Sequence, residues 1–287
     1  MKNLIFVLLF SIKSFAAQPK EVVIGFIPNG DKQQIKSATL LIAKEVQKAL
    51  GVPVTIFVSK SYSSLITAMK NKKVDFAFFT AHSLVAAENE IPLQVLLKKV
   101  WQEPFYYSVL LSSKTSKISS IKDIKNKRVV FVDKKSTSGF LYPMVMLKKN
   151  GINESSFSQV IFSGGHDKSI ELMEKNEADV AAVFSDDKDG IQSAWAKYGK
   201  KPNSYKKIWV SEPIPNDPFC VRKDFYDVNP KIVHNMMIAL IDAYDRLKND
   251  KNVSAVFGAH SFMPATSRQY DPVREMVKFL GSEVQAQ

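Results

Sequence analysis

The sequence predicts an α/β protein of two lobes, with a central cleft and two crossing segments between the lobes. From Glu21 onward, short strand-like apolar runs alternate with stretches of helical periodicity. A stretch rich in Ser and Lys at 112–120 interrupts this alternation. Three prolines between Ser211 and Pro218 interrupt it again, and so many prolines exclude a helix or a central strand there.

The first series of elements has a β-α-β order, which favours a largely parallel sheet. Its helices show apolar residues at i, i+3, i+4 and i+7, as in Tyr62, Leu65, Ile66 and Met69. The predicted elements are a strand at Val22–Ile27, a helix through Ile35–Ala49, a strand at Val54–Val58, the Tyr62–Met69 helix, and strands at Val74–Phe79 and Phe105–Leu111.

A second βαβ series follows the polar stretch. Its predicted elements are strands at Arg128–Val132, Val160–Phe162 and Val180–Phe184, with helices at Gly139–Lys149 and His166–Lys175 between them. The last elements, a strand at Phe219–Val221 and a helix at Pro230–Leu247, are too few for a separate domain, so the chain is expected to return to the first lobe. The predicted boundaries are residues 18–111 plus 213–287 for lobe I and 112–212 for lobe II.

The composition is that of an ordinary globular protein. Of 287 residues, 45% are hydrophobic and 24% charged, which excludes a disordered chain, a collagen and a bundle of membrane helices. The single Cys220 cannot form an intramolecular disulfide, and the sequence lacks a Cys/His pattern for a metal site. No cofactor is expected.

The N-terminus has the three regions of a secretory signal peptide. Lys2 is followed by the apolar run Leu4–Phe10 and by small residues, so residues 1–17 are predicted to be removed by cleavage near Ala16 or Ala17. We therefore expect an exported, periplasmic protein without a lipid anchor.

The net charge of +12 has three interpretations. The lysines occur in scattered pairs such as Lys98-Lys99 and Lys134-Lys135, which favours a solubilising surface. Attraction of an anionic ligand is the alternative, and nucleic acid is a third.

Hydroxyl side chains cluster where the first strand of lobe II meets its helix. Ser136, Thr137 and Ser138 follow one another there, and we call these three residues the anion cradle. A helix start offers free N–H groups, a favourable dipole and short hydroxyl donors, a set suited to a tetrahedral oxyanion. Plain N-capping by Ser or Thr is the alternative.

The next junction of strand and helix carries a histidine in a similar position. Ser163-Gly164-Gly165-His166 opens the second helix of lobe II, and two such junctions in one lobe can converge. His166 could donate a hydrogen bond to an anionic oxygen, or it could serve as a cap or a surface residue.

Six segments in order resemble the solute-binding proteins of phosphonate, phosphite and phosphate ABC transporters. They are Tyr62–Leu65 with Val74–Ala77, Tyr106–Leu110, Ser136–Phe140, Gly164–Asp167, Ala178–Ala181 and Ile214–Pro218. The resemblance spans most of the chain after the signal peptide, and it implies the two-lobed type II periplasmic binding protein fold.

The resemblance also implies roles for individual residues. Ser136, Thr137, Ser138 and His166 would hold the phosphonate oxygens from lobe II, and Tyr62 would contribute from lobe I. Tyr106 would form an aromatic wall, although it can also be a core or hinge aromatic.

Two acidic positions match those that meet the ligand's ammonium group in aminoalkylphosphonate binders. They are Asp186, where the family has the longer Glu, and Asp217. As alternatives, Asp186 could be a solvated surface acid and Asp217 a turn cap beside proline. His82 departs from the family pattern: it could donate to the anion, make affinity depend on pH, or cap the following helix.

The function expected from these observations is an extracytoplasmic receptor, not an enzyme, that captures a phosphonate-type oxyanion by closure of the cleft. Its expected partners are the small oxyanion and a transporter permease, with a signalling receptor as the alternative; the protein is expected to be a monomer. A hydrolase using Ser138, His166 and Asp217 is a rival, but the sequence lacks a Gly-x-Ser-x-Gly nucleophile elbow. Nucleic-acid binding lacks a recognised motif as well, so no nucleic-acid partner is expected.

Overall fold

The computed structural model describes residues 18–27, 32–201, 203–257 and 259–281. The predicted signal peptide at 1–17 lies outside the described residues. None of the described helices is long and apolar enough to cross a membrane.

The described residues form two six-stranded mixed sheets. Strands of the first sheet are β1 (Val22–Phe26), β2 (Val54–Val58), β3 (Phe76–Phe78), β4 (Leu93–Val100), β11 (Pro218–Arg222) and β12 (Ser261–Pro264). Strands of the second sheet are β5 (Phe105–Ser113), β6 (Arg128–Phe131), β7 (Gln159–Phe162), β8 (Val180–Ser185), β9 (Tyr205–Val210) and β10 (Ile214–Pro215).

The helices pack on these sheets or at their junction. They are α1 (Lys32–Leu50), α2 (Tyr62–Lys70), α3 (Ala81–Glu88), α4 (Tyr142–Lys149), α5 (His166–Glu174), α6 (Ala194–Tyr198), α7 (Lys223–Val228), α8 (Pro230–Leu247), α9 (Lys251–Phe257) and α10 (Asp271–Leu280). The amphipathic helix α8 has the predicted bounds and packs on α1.

Each sheet combines a parallel part with an antiparallel part. In the first sheet β1 pairs in parallel with β2 and β3, whereas β11 runs antiparallel to both β3 and β4. In the second sheet β6 pairs in parallel with β7 and β8, while β5 runs antiparallel to β8, β9 and β10. The parallel β-α-β units are those predicted from the sequence.

The first crossing between the sheets lies at residues 101–104, not at the polar stretch 112–120. The predicted lobe I boundary at residue 111 therefore assigns Phe105–Leu111 to the wrong sheet, since β5 pairs with three strands of the second sheet. Residues 114–120 form a turn region at the end of β5, where the Ser112 hydroxyl donates to the Ile118 carbonyl at 3.0 Å. The polar composition of this stretch therefore indicates a turn and not the crossing between the sheets.

The second crossing lies at residues 216–217, inside the predicted proline-rich segment but beyond the predicted boundary at residue 213. Ile214 pairs with Tyr106 in the second sheet, and Pro218 pairs with Lys98 in the first. The two crossings are hydrogen-bonded to each other, because the Asn216 side-chain amide donates to the Glu103 carbonyl at 2.9 Å. We call these two adjacent connections, residues 101–104 and 216–217, the double hinge, because connections of this kind can serve as hinges between two lobes.

Apolar packing continues from one sheet to the other on one side of the molecule. A single cluster of buried residues includes Leu84 of α3, Val277 of α10, Leu147 of α4 and Phe131 of β6. The C-terminal helix α10 packs against both α3 and α4 and so connects the two parts.

Candidate functional site

A cavity of about 460 Å³ lies between the two sheets. Both sheets and both crossings contribute to its wall, as expected for a ligand site between α/β units. Seven of the nine residues that the sequence singled out line it: Tyr62, Tyr106, Ser136, Ser138, His166, Asp186 and Asp217.

The anion cradle follows β6 as a tight loop that opens a helix. The Ser136 hydroxyl accepts from the Gly139 N–H at 3.1 Å, and the Leu141 N–H donates to the Ser136 carbonyl at 3.0 Å, five residues back. Thr137–Leu141 is thus a π-helical turn, a distortion that is frequent at functional sites. The loop places Ser136 and Ser138 on the cavity wall.

Position 139 requires glycine because the side chain of Val132, the residue after β6, lies very close to it. A β-carbon there would lie 2.5 Å from Val132 Cγ2 and 2.8 Å from Ser136 Oγ, far inside normal contact distance. Gly139 therefore lets the loop fold back against the end of the strand.

Two buried tyrosines lie next to the cradle. Tyr62, the first residue of α2, interacts with the side chain of Ser136, and Tyr106 of β5 interacts with the side chains of Thr137 and Ser138. Burial raises the pKa of both phenols, so both are neutral hydroxyl groups at physiological pH. Tyr106 thus contacts the cradle and also lines the cavity.

His166 is the first residue of α5, and its imidazole is 5% exposed. The preceding Gly165 provides no side-chain cap for the helix. Nδ1 of His166 is buried without a hydrogen-bond partner among the described residues, and Phe184 packs edge-on against the ring at 5.0 Å. Burial and then Lys197 lower the pKa of His166 to about 3, so the imidazole is neutral. A neutral imidazole can donate one hydrogen bond into the cavity.

Thr137 and His82 lie behind the cavity wall. The His82 backbone N–H donates to Thr137 Oγ1 at 2.8 Å, and the Thr80 hydroxyl donates to the Lys135 carbonyl at 3.2 Å. These bonds join α3 of the first sheet to the loop of the second. Burial, followed by the charge of Lys135, lowers the pKa of His82 to about 3, so the imidazole is neutral.

The two predicted acids are each accompanied by a lysine that the sequence did not single out. Lys99 Nζ lies 3.3 Å from Asp217 Oδ2, and Lys197 of α6 interacts electrostatically with Asp186. All four side chains line the cavity, and we call them the charged cluster (Lys99, Asp186, Lys197 and Asp217). The reading of the lysine pairs as a solubilising surface is therefore wrong for Lys99.

Burial raises the pKa of Asp186 to about 6, because desolvation outweighs the neighbouring lysines. The folded pKa exceeds the unfolded value near 4, so the cost of ionising Asp186 grows between about pH 4 and 6 and persists above that range. We expect Asp186→Asn to stabilise the ligand-free protein at pH 7.5 by at most roughly 3 kcal/mol and to have no effect at pH 4. Urea unfolding at the two pH values measures this difference.

Asp189→Asn is the matched control, since the Asp189 side chain is 81% exposed and lies 3.8 Å from Lys207. It should change stability by less than about 0.5 kcal/mol at either pH. Equal stability of Asp186→Asn and the parent protein at pH 7.5 would contradict the costly ionisation of Asp186.

Comparison with known proteins gives consistent matches over most of the chain. Residues 24–270 match the family described as "ABC transporter, phosphonate, periplasmic substrate-binding protein". The phosphonates-binding periplasmic protein of Escherichia coli K12 is 27% identical over 290 residues, covering 96% of this chain and 83% of that protein. The phosphate-import protein PhnD of Mycolicibacterium smegmatis is also 27% identical, covering 92% of this chain and 87% of that protein.

Among solved structures, PhnD1 from Prochlorococcus marinus in complex with methylphosphonate superposes with a TM-score of 0.78. The two chains are 22% identical, and the match covers 91% of this chain and 98% of the other. The predicted periplasmic binding protein fold is confirmed by this likeness.

Proposed function

The chain belongs to the family of periplasmic substrate-binding proteins of phosphonate ABC transporters, and from this premise we propose that it binds the tetrahedral head group of a phosphonate, phosphite or phosphate between Ser136, Ser138 and His166. Thr137 and His82 support these residues from behind, and Tyr62 and Tyr106 fix them laterally. The relatives named above carry both phosphonates and phosphate in their names, so the head group is the chemistry they share.

One observation carries this proposal: two openings of helices, at the cradle and at His166, line the same cavity between the sheets. The hydroxyls of Ser136 and Ser138, the imidazole of His166 and the N-termini of the two helices are all suited to bind anionic oxygen. The buried, unpartnered Nδ1 of His166 is the group whose hydrogen bond a ligand would complete.

We further propose that binding brings the two sheets together about the double hinge at residues 101–104 and 216–217, and that a permease recognises the closed form. In this proposal the protein is exported after cleavage near Ala16 or Ala17, acts as a monomer and needs no cofactor. A sensor in place of the permease would recognise the same closed form.

The alternative of a Ser138-His166-Asp217 hydrolase has little support in the geometry. A catalytic triad needs the acid to orient the histidine. Asp217 pairs with Lys99 instead, and Nδ1 of His166 has no partner among the described residues. Turnover of phosphate or acyl esters by the purified protein would revive this alternative.

Thermal unfolding with added ligand tests the proposal directly. We expect phosphate, phosphite, methylphosphonate or 2-aminoethylphosphonate to stabilise the purified protein, because a ligand at a hundred times its Kd adds about 2.7 kcal/mol. Calorimetric titration of the best ligand then measures its affinity. If none of the four anions stabilises the protein, the proposed function is wrong.

A further inference from the structure

The charged cluster forms a second polar region of the cavity wall, built from other elements than the cradle. Lys99 lies in β4, Asp186 follows β8, Lys197 lies in α6 and Asp217 lies in the second crossing. These residues interact with one another: Lys197 and Lys99 both lower the pKa of Asp186, and Asp217 raises it. Both sheets and a crossing therefore contribute to one electrostatic unit.

The charges of this cluster cancel. Two lysines, Lys99 and Lys197, stand against two aspartates, Asp186 and Asp217. An ammonium group that entered here would meet carboxylates already neutralised by Lys99 and Lys197, and it would be repelled by both lysines. The cluster thus differs from a pair of bare acids that bind an amine.

Trp101 adds a hydrogen-bond donor without an acceptor. Its Nε1 is buried without a partner among the described residues, and the residue lines the same cavity. Stacking on His260, with ring centroids 4.5 Å apart, holds the indole in place. An indole N–H can only donate and an ammonium group cannot accept, so an amine leaves Trp101 unsatisfied. A carboxylate accepts from Trp101 and from lysine alike.

We propose that the ligand is a phosphonate whose far end carries a carboxylate, held by Lys99, Lys197 and Trp101, and that aminoalkylphosphonates bind less tightly. This inference rests on the proposed function, because the head group must occupy the cradle. The cavity of about 460 Å³ lies within the ~300–1,000 Å³ typical of sites for organic ligands, so it has room for such a tail.

Isothermal titration of the purified protein at pH 7.5 with three phosphonates tests the inference. 3-Phosphonopropionate and 2-aminoethylphosphonate differ in the charge of the tail, and methylphosphonate has the head group alone. We expect the carboxylate to bind at least about tenfold more tightly than the amine. Equal or tighter binding of the amine overturns the inference and leaves the proposed function intact. If all three fail to bind, the proposed function is overturned and the inference with it.

Two variants test whether Lys197 and Trp101 bind the carboxylate end of the ligand. Lys197→Met should lower the ratio of 3-phosphonopropionate affinity to methylphosphonate affinity at least about tenfold. Trp101→Phe removes the N–H donor while keeping an aromatic ring beside His260, so it should lower the same ratio about three- to tenfold. Lys168→Met is the control, because Lys168 is exposed on α5 and does not line the cavity. An unchanged ratio of carboxylate to methylphosphonate affinity in both Lys197→Met and Trp101→Phe overturns the inference.

Discussion

Alanine in place of Ser138 or of His166 is expected to weaken methylphosphonate binding by roughly ten- to hundredfold in each case. Each side chain would donate a hydrogen bond to a charged oxygen inside a buried site, and such a bond contributes about 1.5–3 kcal/mol. Neutral His166 donates without being protonated, since burial lowers its pKa to about 3. The loss for His166→Ala should therefore be the same at pH 6 and pH 8 once the charge of the ligand is accounted for.

Isothermal titration measures both affinities, and exposed residues of the same type provide the controls. Ser119→Ala lies in the turn region after β5, and His234→Ala lies on the outer face of α8; both side chains are exposed. These controls should bind within about twofold of the parent protein. Unchanged affinity in both Ser138→Ala and His166→Ala would refute the anion cradle.

Asp75→Ala is expected to lower the free energy of unfolding by about 3–5 kcal/mol, because it leaves the buried Arg222 without its main counter-charge. Asp75 Oδ1 accepts from Arg222 Nη2 at 2.7 Å, and Oδ2 accepts from the Val23 N–H at 2.9 Å. Arg222 is 6% exposed and Asp75 8%. The buried pair therefore connects β1, the start of β3 and the end of β11 in the first sheet.

Urea unfolding at pH 7.5 measures this loss. Asp227→Ala, which removes the exposed pair between Lys223 and Asp227 on α7, is the matched control and should cost less than about 1 kcal/mol. A loss for Asp75→Ala as small as that of the control would show that Asp224, which also contacts Arg222, is sufficient to compensate the guanidinium charge.

Local patterns predicted the parts of the fold and site that depend on neighbouring residues. The hydroxyl run at Ser136–Ser138 and the Gly-Gly-His junction at 164–166 each lie between a strand and a helix, so their place at a helix start follows from the sequence. The α8 bounds follow from a regular apolar stripe and from Pro230 at the first turn.

Long-range pairing determined what the sequence could not show. The apolar run at Phe105–Leu111 looks the same whichever sheet it joins, and only its pairing with Val180–Ser185 decides that it belongs to the second sheet. The sequence pattern does not indicate strand β4 at Leu93–Val100 for a similar reason, because β4 is paired with β11 and β12, which are distant in sequence.

Long-range contacts also determine the positions of the two lysines Lys98 and Lys99. Lys98-Lys99 resembles the exposed pairs elsewhere in the chain, but the fold buries Lys98 and directs Lys99 toward Asp217, which lies 118 residues away. In contrast, the family resemblance indicates Asp186 and Asp217 as candidate site residues. It does not indicate their lysine partners. The electrostatic character of the cavity therefore emerged only from the three-dimensional arrangement.

The two hydrogen bonds that join Thr80 and His82 to the loop at 135–137 have a consequence for the timing of capture and release. In the proposed closure, moving the sheets apart would break both bonds, so the open protein would meet its ligand with a cradle that has lost support from α3. Initial capture would then be weaker than final retention, and the lifetime of the bound ligand would depend on how often the molecule reopens. In that proposal, Thr80 and His82 would influence the release of the ligand through their hydrogen bonds to the loop at 135–137.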